Sequence, residues 1–314
     1  MKQLSTPILF NIFNRPEPTR KVLEVIRAQQ PLKLYVHADG PRVGHPTDEA
    51  NVNACKALIA QMVDWPCDLH LMYETENKGC GHGPADAITW FFENEEQGII
   101  LEDDCLPHPD FFRFAEEMLK RYKDDARITS IAGSNFQDGK KRGDASYYFS
   151  NHNRIWGWAT WRRVWKQYDY YLSNETNRSV CTLIDQHFSR DRDRNYWKRV
   201  LYNVLDNRQN DTCWDYQFMY LQWRLNGMTI TPNANLVSNI GDGPDATHTN
   251  WVNDQNLHRP VSPLYPIEHT DDIVRSVAAD NYYMDKYIIH HRNVLQKYWM
   301  KICRRLMRKI RNTK

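Results

Sequence analysis

The chain concentrates its chemistry at Glu102-Asp103-Asp104, three consecutive carboxylates that end the short apolar run Gly98-Ile99-Ile100-Leu101. Adjacent acids repel one another unless a cation or a basic partner compensates them. At the C-terminal edge of an open sheet, carboxylates can hold a hard divalent cation against a phosphate. The same residues also read as caps or solvent-facing charges ahead of Pro109-Asp110-Phe111-Phe112, where a helix is expected to start. Further candidates are Arg15 after the first apolar run, Asp39 in Asp39-Gly40-Pro41, Asp215 in Trp214-Asp215-Tyr216, and His248 in the polar stretch Asn239 to Thr249. Asp215 falls in the first turn of an expected helix, so dipole capping competes with a chemical role. Together these residues suit group transfer from a nucleotide diphosphate. The leaving group departs with negative charge, and a separate carboxylate takes the proton of the attacking hydroxyl.

The elements that must position these groups alternate. Strands are expected at Pro7 to Asn14, Leu32 to Ala38, Asp68 to Tyr73, Gly98 to Leu101 and Ile128 to Ala132, with helices at Thr19 to Gln29, Asp48 to Val63, Ala85 to Asn94 and Asp110 to Tyr122. That order predicts an α/β protein with a mainly parallel, Rossmann-like sheet flanked by helices. Arg15, Asp39 and the acidic triplet then share one sheet edge. Between the third strand and its helix, Asn77 to Pro84 carries Gly-x-Gly-x-Gly, which reads as a plain turn or as a phosphate cradle.

After Ala132 the pattern loosens. Gly133 to Asp144 is polar, and the aromatic block Ile155 to Trp161 follows, with Trp156, Trp158 and Trp161 reading either as core or as a platform for an acceptor sugar. Arg190 to Arg194 reads as a solvated charged turn, and helices are expected from Tyr196 to Leu205 and up to Leu225. Met228 to Pro232 reads as a strand and Asn239 to Thr249 as a closing loop. The expected organisation is 1–135 for the nucleotide-sugar half, 136–260 for the acceptor and base half, and 261–314 for a C-terminal extension.

Of the 314 residues, 286 to 314 hold ten Lys and Arg and no acid, so a net charge of +2 overall becomes −8 for the rest once the tail's +10 is removed. An acidic body argues against nucleic acid as partner. Tyr287, Ile288, His291, Val294, Leu295, Tyr298, Trp299, Ile302, Leu306 and Ile310 recur at helical spacing. A basic amphipathic helix of this kind reads as lying on an anionic membrane surface or as docking on a partner. Seven cysteines without a C-x-x-C pair suit a reducing compartment, and no stretch approaches the length of a membrane span. A cytoplasmic protein, peripheral to the inner face of the membrane, is the expectation.

The segments PILFNIFNRPEPTR, YVHADG, IILEDDCLPHPDFF, WGWATW and CWDYQF resemble glycosyltransferases of the GT-A fold. Within that fold the chain is most similar to bacterial nucleotide-diphospho-sugar transferases related to the N-acetylglucosaminyltransferase I type. The resemblance implies an inverting transferase that uses Mn²⁺ (or Mg²⁺), a UDP-type sugar donor and a bacterial surface glycan or glycolipid acceptor. It implies that Arg15 and Asp39 contact the uridine end and that Glu102 and Asp103 hold the ribose or donor sugar. Asp104 would ligate the metal, Asp215 would be the catalytic base, and His248 would approach the metal or the diphosphate. Trp158 is the expected acceptor contact. A nucleotidyltransferase would need a glycine-rich basic loop after the first strand, yet no glycine precedes Gly40. A non-catalytic carbohydrate-binding scaffold is the other alternative.

Overall fold

A computed structural model describes residues 3–209, 213–242 and 256–289. Ile8 to Ile12, fully buried, form β1, and Pro16 at the first helical position opens α1 (Pro16–Gln29). A proline there forfeits only an amide that has no intrahelical partner. Next come β2 (Lys33–Ala38), α2 (Asp48–Met62), β3 (Asp68–Tyr73), α3 (Gly79–Asn94), β4 (Gln97–Glu102), β5 (Cys105–Pro107), α4 (Pro109–Arg121) and β6 (Ile128–Ala132). The second half holds β7 (Tyr147–Ser150), β8 (Trp158–Trp161), α5 (Arg162–Trp165), α6 (Asn177–His187), α7 (Asp191–Asp206), α8 (Asp215–Arg224), β9 (Met228–Pro232), β10 (Val237–Asn239) and α9 (Val277–Tyr283). A π-helical turn, Met284–Ile288, continues α9.

Among the described residues one eight-stranded sheet runs β3-β2-β1-β4-β8-β6-β9-β7. β3, β2, β1 and β4 are parallel, β8 is antiparallel to both β4 and β6, β6 and β9 are parallel, and β7 is antiparallel to β9. The mixed α/β architecture is therefore as expected, with most of the parallel pairing carried by the first four strands and the rest by β6 and β9. Residue 135, the expected boundary, lies in the connection between β6 and β7, both strands of this sheet, and one hydrophobic core extends from Leu4 to Val237. A second cluster, including Val180, Ile184, Trp197, Leu201 and Trp223, joins α6, α7 and α8.

Two local expectations give way. The glycine stretch is the opening of α3 itself, where small residues let the helix sit directly on β2: a Cβ at Gly83 would meet the His37 and Asp39 side chains at about 3.4–3.6 Å. The charged run Arg190 to Arg194 is mostly the first turn of α7, with Asp191 and Asp193 favoured at its positive end. Of the expected basic tail helix, residues 290–314 lie outside the described residues. Among the described residues no helix is long and apolar enough to cross a membrane.

Candidate active site

The order β3-β2-β1-β4 reverses direction between β1 and β4, and in parallel sheets a crevice opens at the C-terminal ends of such a pair. Arg15 lies just beyond β1 and the acidic triplet closes β4. Arg15 forms ion pairs with both Asp103 and Asp104, the second through Nη1 to Oδ2 at 3.0 Å. Burial works against its positive charge, but the two carboxylates outweigh it and raise its pKa. Asp103 also accepts the Phe13 amide at 3.3 Å, and it is buried, which pushes its carboxyl up despite Arg15. Asp103 is thus held by its own chain.

The remaining carboxylates face one another. Glu102, Asp104 and Cys105 each place one ligand-type atom within 4.8 Å of the others. Burial, then the charges of Asp104 and Asp103, push the Glu102 carboxyl up to about 8. The Cys105 thiol is raised well above its ordinary range by burial and by Asp104, and it donates toward Asp104 Oδ1 at 3.5 Å. Two carboxylates that repel, beside a thiol that resists ionisation, form a donor set dominated by hard oxygen. Such a set fits Mn²⁺ or Mg²⁺ better than a soft metal.

Asp39 ends up elsewhere in role. Its carboxylate accepts the amides of Gly40 (2.8 Å), Lys78 (2.8 Å) and Gly79 (3.1 Å) and the Asn77 side chain (2.9 Å). An ionised carboxylate has about four acceptor positions, so this one is committed to pinning the start of α3 to the end of β2. The amides expected to meet a phosphate meet Asp39 instead. A cleft of about 1060 Å³ opens on the far side of this turn, lined by Pro41 to Pro46 and by Thr75 to Asn77.

Trp158 is a correction. It is only 1% exposed, stacked on Trp214 with ring centroids 5.7 Å apart and packed on Phe218, so neither ring face is open to a sugar. Clustered tryptophans supply large apolar area, and here core packing takes it. Trp156, half-buried at the same sheet edge, keeps some surface.

Asp215 opens α8, positioned by Trp214, whose carbonyl accepts the Tyr168 hydroxyl at 2.9 Å. His82 of α3 stacks on Tyr170 at 4.0 Å, so the N-termini of α3 and α8 are tied through one loop. The charge of Asp215 reaches Glu102, and it reaches Tyr168, Tyr196, Tyr216 and Tyr283, whose hydroxyls are raised first of all by burial. Asp215 and the acidic strand end therefore belong to one electrostatic neighbourhood. His248 lies outside the described residues.

Several site residues escaped the sequence reading. Asn11 and His37 are adjacent across β1 and β2, and Asn11 is level with Glu102 on β4. Both Asn11 amide atoms and His37 Nε2 are buried without a hydrogen-bond partner. The signal available was one asparagine inside an otherwise apolar strand. Gly241 follows β10, and a Cβ there would collide with the Asp104 carboxylate and Arg15. It arrives because β10 pairs with β5, putting Asn239 opposite Cys105, a long-range pairing no local pattern encodes.

No family model matches the chain, and no curated protein matches it. Among solved structures it is similar to HddC from Yersinia pseudotuberculosis (11% identity, covering 52% of this chain and 80% of that one, TM-score 0.32). It is also similar to the inositol-1-phosphate CTP transferase from T. maritima (8% identity, 74% and 86% covered, TM-score 0.37). A third is a cytidylyltransferase from Leptospira borgpetersenii serovar Hardjo-bovis (9% identity, 66% and 73% covered, TM-score 0.31). Likenesses this low assign no activity to this chain.

Proposed function

We propose that the protein is an inverting, metal-dependent glycosyltransferase that moves a sugar from a UDP-type donor to a hydroxyl of a glycan or glycolipid. The observation that carries this reading is the joint placement of two groups. The Glu102-Asp104-Cys105 cluster sits at the strand-order reversal, and Asp215, in the first turn of α8, adds the smallest of the charges that raise the Glu102 carboxyl.

In this mechanism Asp104 and Glu102 would hold a divalent cation, with Cys105 the weakest donor. When bound, that ion supplies positive charge to the diphosphate leaving group. Arg15 keeps Asp103 fixed and adds its own positive charge to the same edge. Asp215 accepts the acceptor hydroxyl's proton as that oxygen bonds to the anomeric carbon. The bond from that carbon to the diphosphate oxygen breaks on the opposite face, and its electron pair leaves with UDP. Attack opposite the leaving group inverts the anomeric centre. Asp39 acts indirectly by fixing the turn between the nucleotide crevice and the neighbouring cleft. We further propose that the basic tail holds the enzyme on an anionic membrane surface. Removing residues 286–314 is expected to abolish sedimentation with phosphatidylglycerol vesicles in moderate salt, and unchanged sedimentation would overturn that part.

The deciding experiment titrates UDP with and without Mn²⁺ and screens UDP-sugars for donor hydrolysis. Metal-dependent UDP binding with donor hydrolysis is expected. Release of pyrophosphate from a nucleoside triphosphate and a sugar phosphate would instead establish a nucleotidyltransferase. Absence of any nucleotide binding would leave a carbohydrate-binding scaffold.

A further inference from the structure

Beyond β7 the chain runs through Asn151, His152, Asn153 and Arg154, all buried, before Trp156 and β8 return to the sheet edge. Four consecutive buried polar residues make a costly segment, since each needs a partner to offset lost hydration. Most of the acid nearby is spent. Asp280 accepts from Ser150 (2.7 Å) and Arg275 (2.5 Å) and faces His152 Nδ1 at 3.4 Å.

Arg154 is the exception. It is 5% exposed, and no carboxylate of the described residues lies within ion-pair distance of it. Its Nη1 makes three long contacts, to His152 O and Thr231 Oγ1 at 3.3 Å and to Ser150 Oγ at 3.5 Å. Nε and Nη2 have no hydrogen-bond partner, and neither does Asn153 Nδ2 beside them. The guanidinium lies over the Tyr283 ring at 4.4 Å. That contact orients it but leaves its in-plane donors unused, and those donors match a carboxylate or phosphate in geometry.

Its position ties it to the acceptor side of the site. Ile100, Trp158 and Ala132 form one rung of the sheet, and Thr231 sits one residue beyond the pair Ile131–Ile230. Arg154 therefore contacts β9 on a rung that reaches β4 three strands away at Ile100, two residues before Glu102. The ring it covers, Tyr283, also feels the charge of Asp215. Phe136 lies between Trp156 (5.6 Å) and Tyr283 (5.5 Å), linking the half-buried tryptophan to this place.

We propose that Arg154, with Asn153 and the half-buried Trp156, forms an acceptor subsite that reads a negative charge, so that the acceptor sugar carries a carboxylate or a phosphate ester. The inference rests on the glycosyl-transfer reading for the word acceptor. The demand for an anion rests on Arg154 alone. An acidic sugar entering over Trp156 would pair its anion with Nε and Nη2, which are closed to solvent in this structure, so that its binding has to uncover them.

The test uses the full chain and ligand-observed NMR titrations with glucuronic acid, glucose 6-phosphate and glucose, alongside a UDP–Mn²⁺ titration on the same sample. At least one acidic sugar is expected to bind about tenfold or more tightly than glucose, as one charge-assisted contact suffices to produce. Which acid wins distinguishes carboxylate from phosphate. Arg154→Met should erase the preference while UDP–Mn²⁺ affinity stays as in the wild type, and Arg154→Lys should keep part of it. Equal binding of acidic and neutral sugars by the wild type overturns the proposal even if Arg154→Met fails to fold. So does an acidic preference that survives in Arg154→Met. If UDP–Mn²⁺ does not bind the wild type, the transferase reading fails separately, and the sugar titrations still decide whether an anion subsite exists.

Discussion

Two arginines at the same sheet edge, Arg15 half-buried and Arg154 buried, are handled in opposite ways. Arg15, beyond β1, meets Asp103 and Asp104 from β4, so the positive and negative charges of the parallel half are balanced within the chain. Arg154, on the other half, has a tyrosine ring, hydroxyls and a carbonyl around it, and among the described residues no carboxylate within ion-pair distance, Asp280 reaching it only through the shared Ser150 hydroxyl. The difference separates a built-in charge pair, which shapes a site, from a charge with capacity left for something else. It also explains why the parallel half retains only part of its acidity for a metal: Arg15 takes both oxygens of Asp103 and one of Asp104.

The largest effect should come from the group that spans both regions. Asp215→Asn is expected to lower the transfer rate about 10²–10⁴-fold with UDP affinity preserved, read by product formation beside calorimetry. Transfer at the wild-type rate would remove Asp215 as base. Next is stability, where the comparison of arginines can be broken directly. Arg15→Met leaves Asp103 buried beside Asp104 without its cation and should cost about 3–5 kcal/mol in urea unfolding. Arg154→Met should change stability by less, about 1 kcal/mol, because only long neutral contacts are lost and no buried carboxylate loses its counter-charge. Equal losses would mean that Arg154 is a structural residue like Arg15.

A smaller effect concerns pH. Burial lowers the His37 pKa from 6.5 to about 4, so the fold keeps the imidazole neutral while the unfolded chain takes up a proton first. Acidification through that window therefore favours unfolding, and His37 should account for about 2–3 kcal/mol of the stability lost between pH 6.5 and 4. In His37→Gln that part of the decline should vanish in urea titrations at several pH values. Smallest is Asp39→Ala, which frees the amides of Gly40, Lys78 and Gly79 at the start of α3. A loss of about 1–2 kcal/mol is expected, with slower transfer only through loosening of the turn. A complete loss of UDP binding would return Asp39 to the direct nucleoside role that the resemblance suggested.

Much of the architecture was legible along the chain, because the first half alternates in local signals that strands and helices must obey. Apolar runs too short for helices, such as Ile128 to Ala132, became strands at the expected residues, and Pro109 marked a helix start through its missing amide, whereas α1 opens at Pro16, three residues before the expected Thr19. The acidic triplet was equally visible, since like charges side by side need an explanation wherever they occur. Other features belong to tertiary structure. Whether Trp158 is core or platform depends on Trp214 and Phe218, more than fifty residues downstream, closing over it. Asp39 became a cap because α3 begins at Gly79, six residues before the Ala85 start that its apolar periodicity shows, and glycines can join a helix when packing compensates their entropy. Nor does composition tell Arg15 from Arg154, since each is one arginine near aromatic residues. Only the pairing of β1 with β4 brings carboxylates to the first, and only the return of α9 lays a tyrosine ring against the second. Charge is written locally in a sequence, but its compensation is settled by contacts between distant strands.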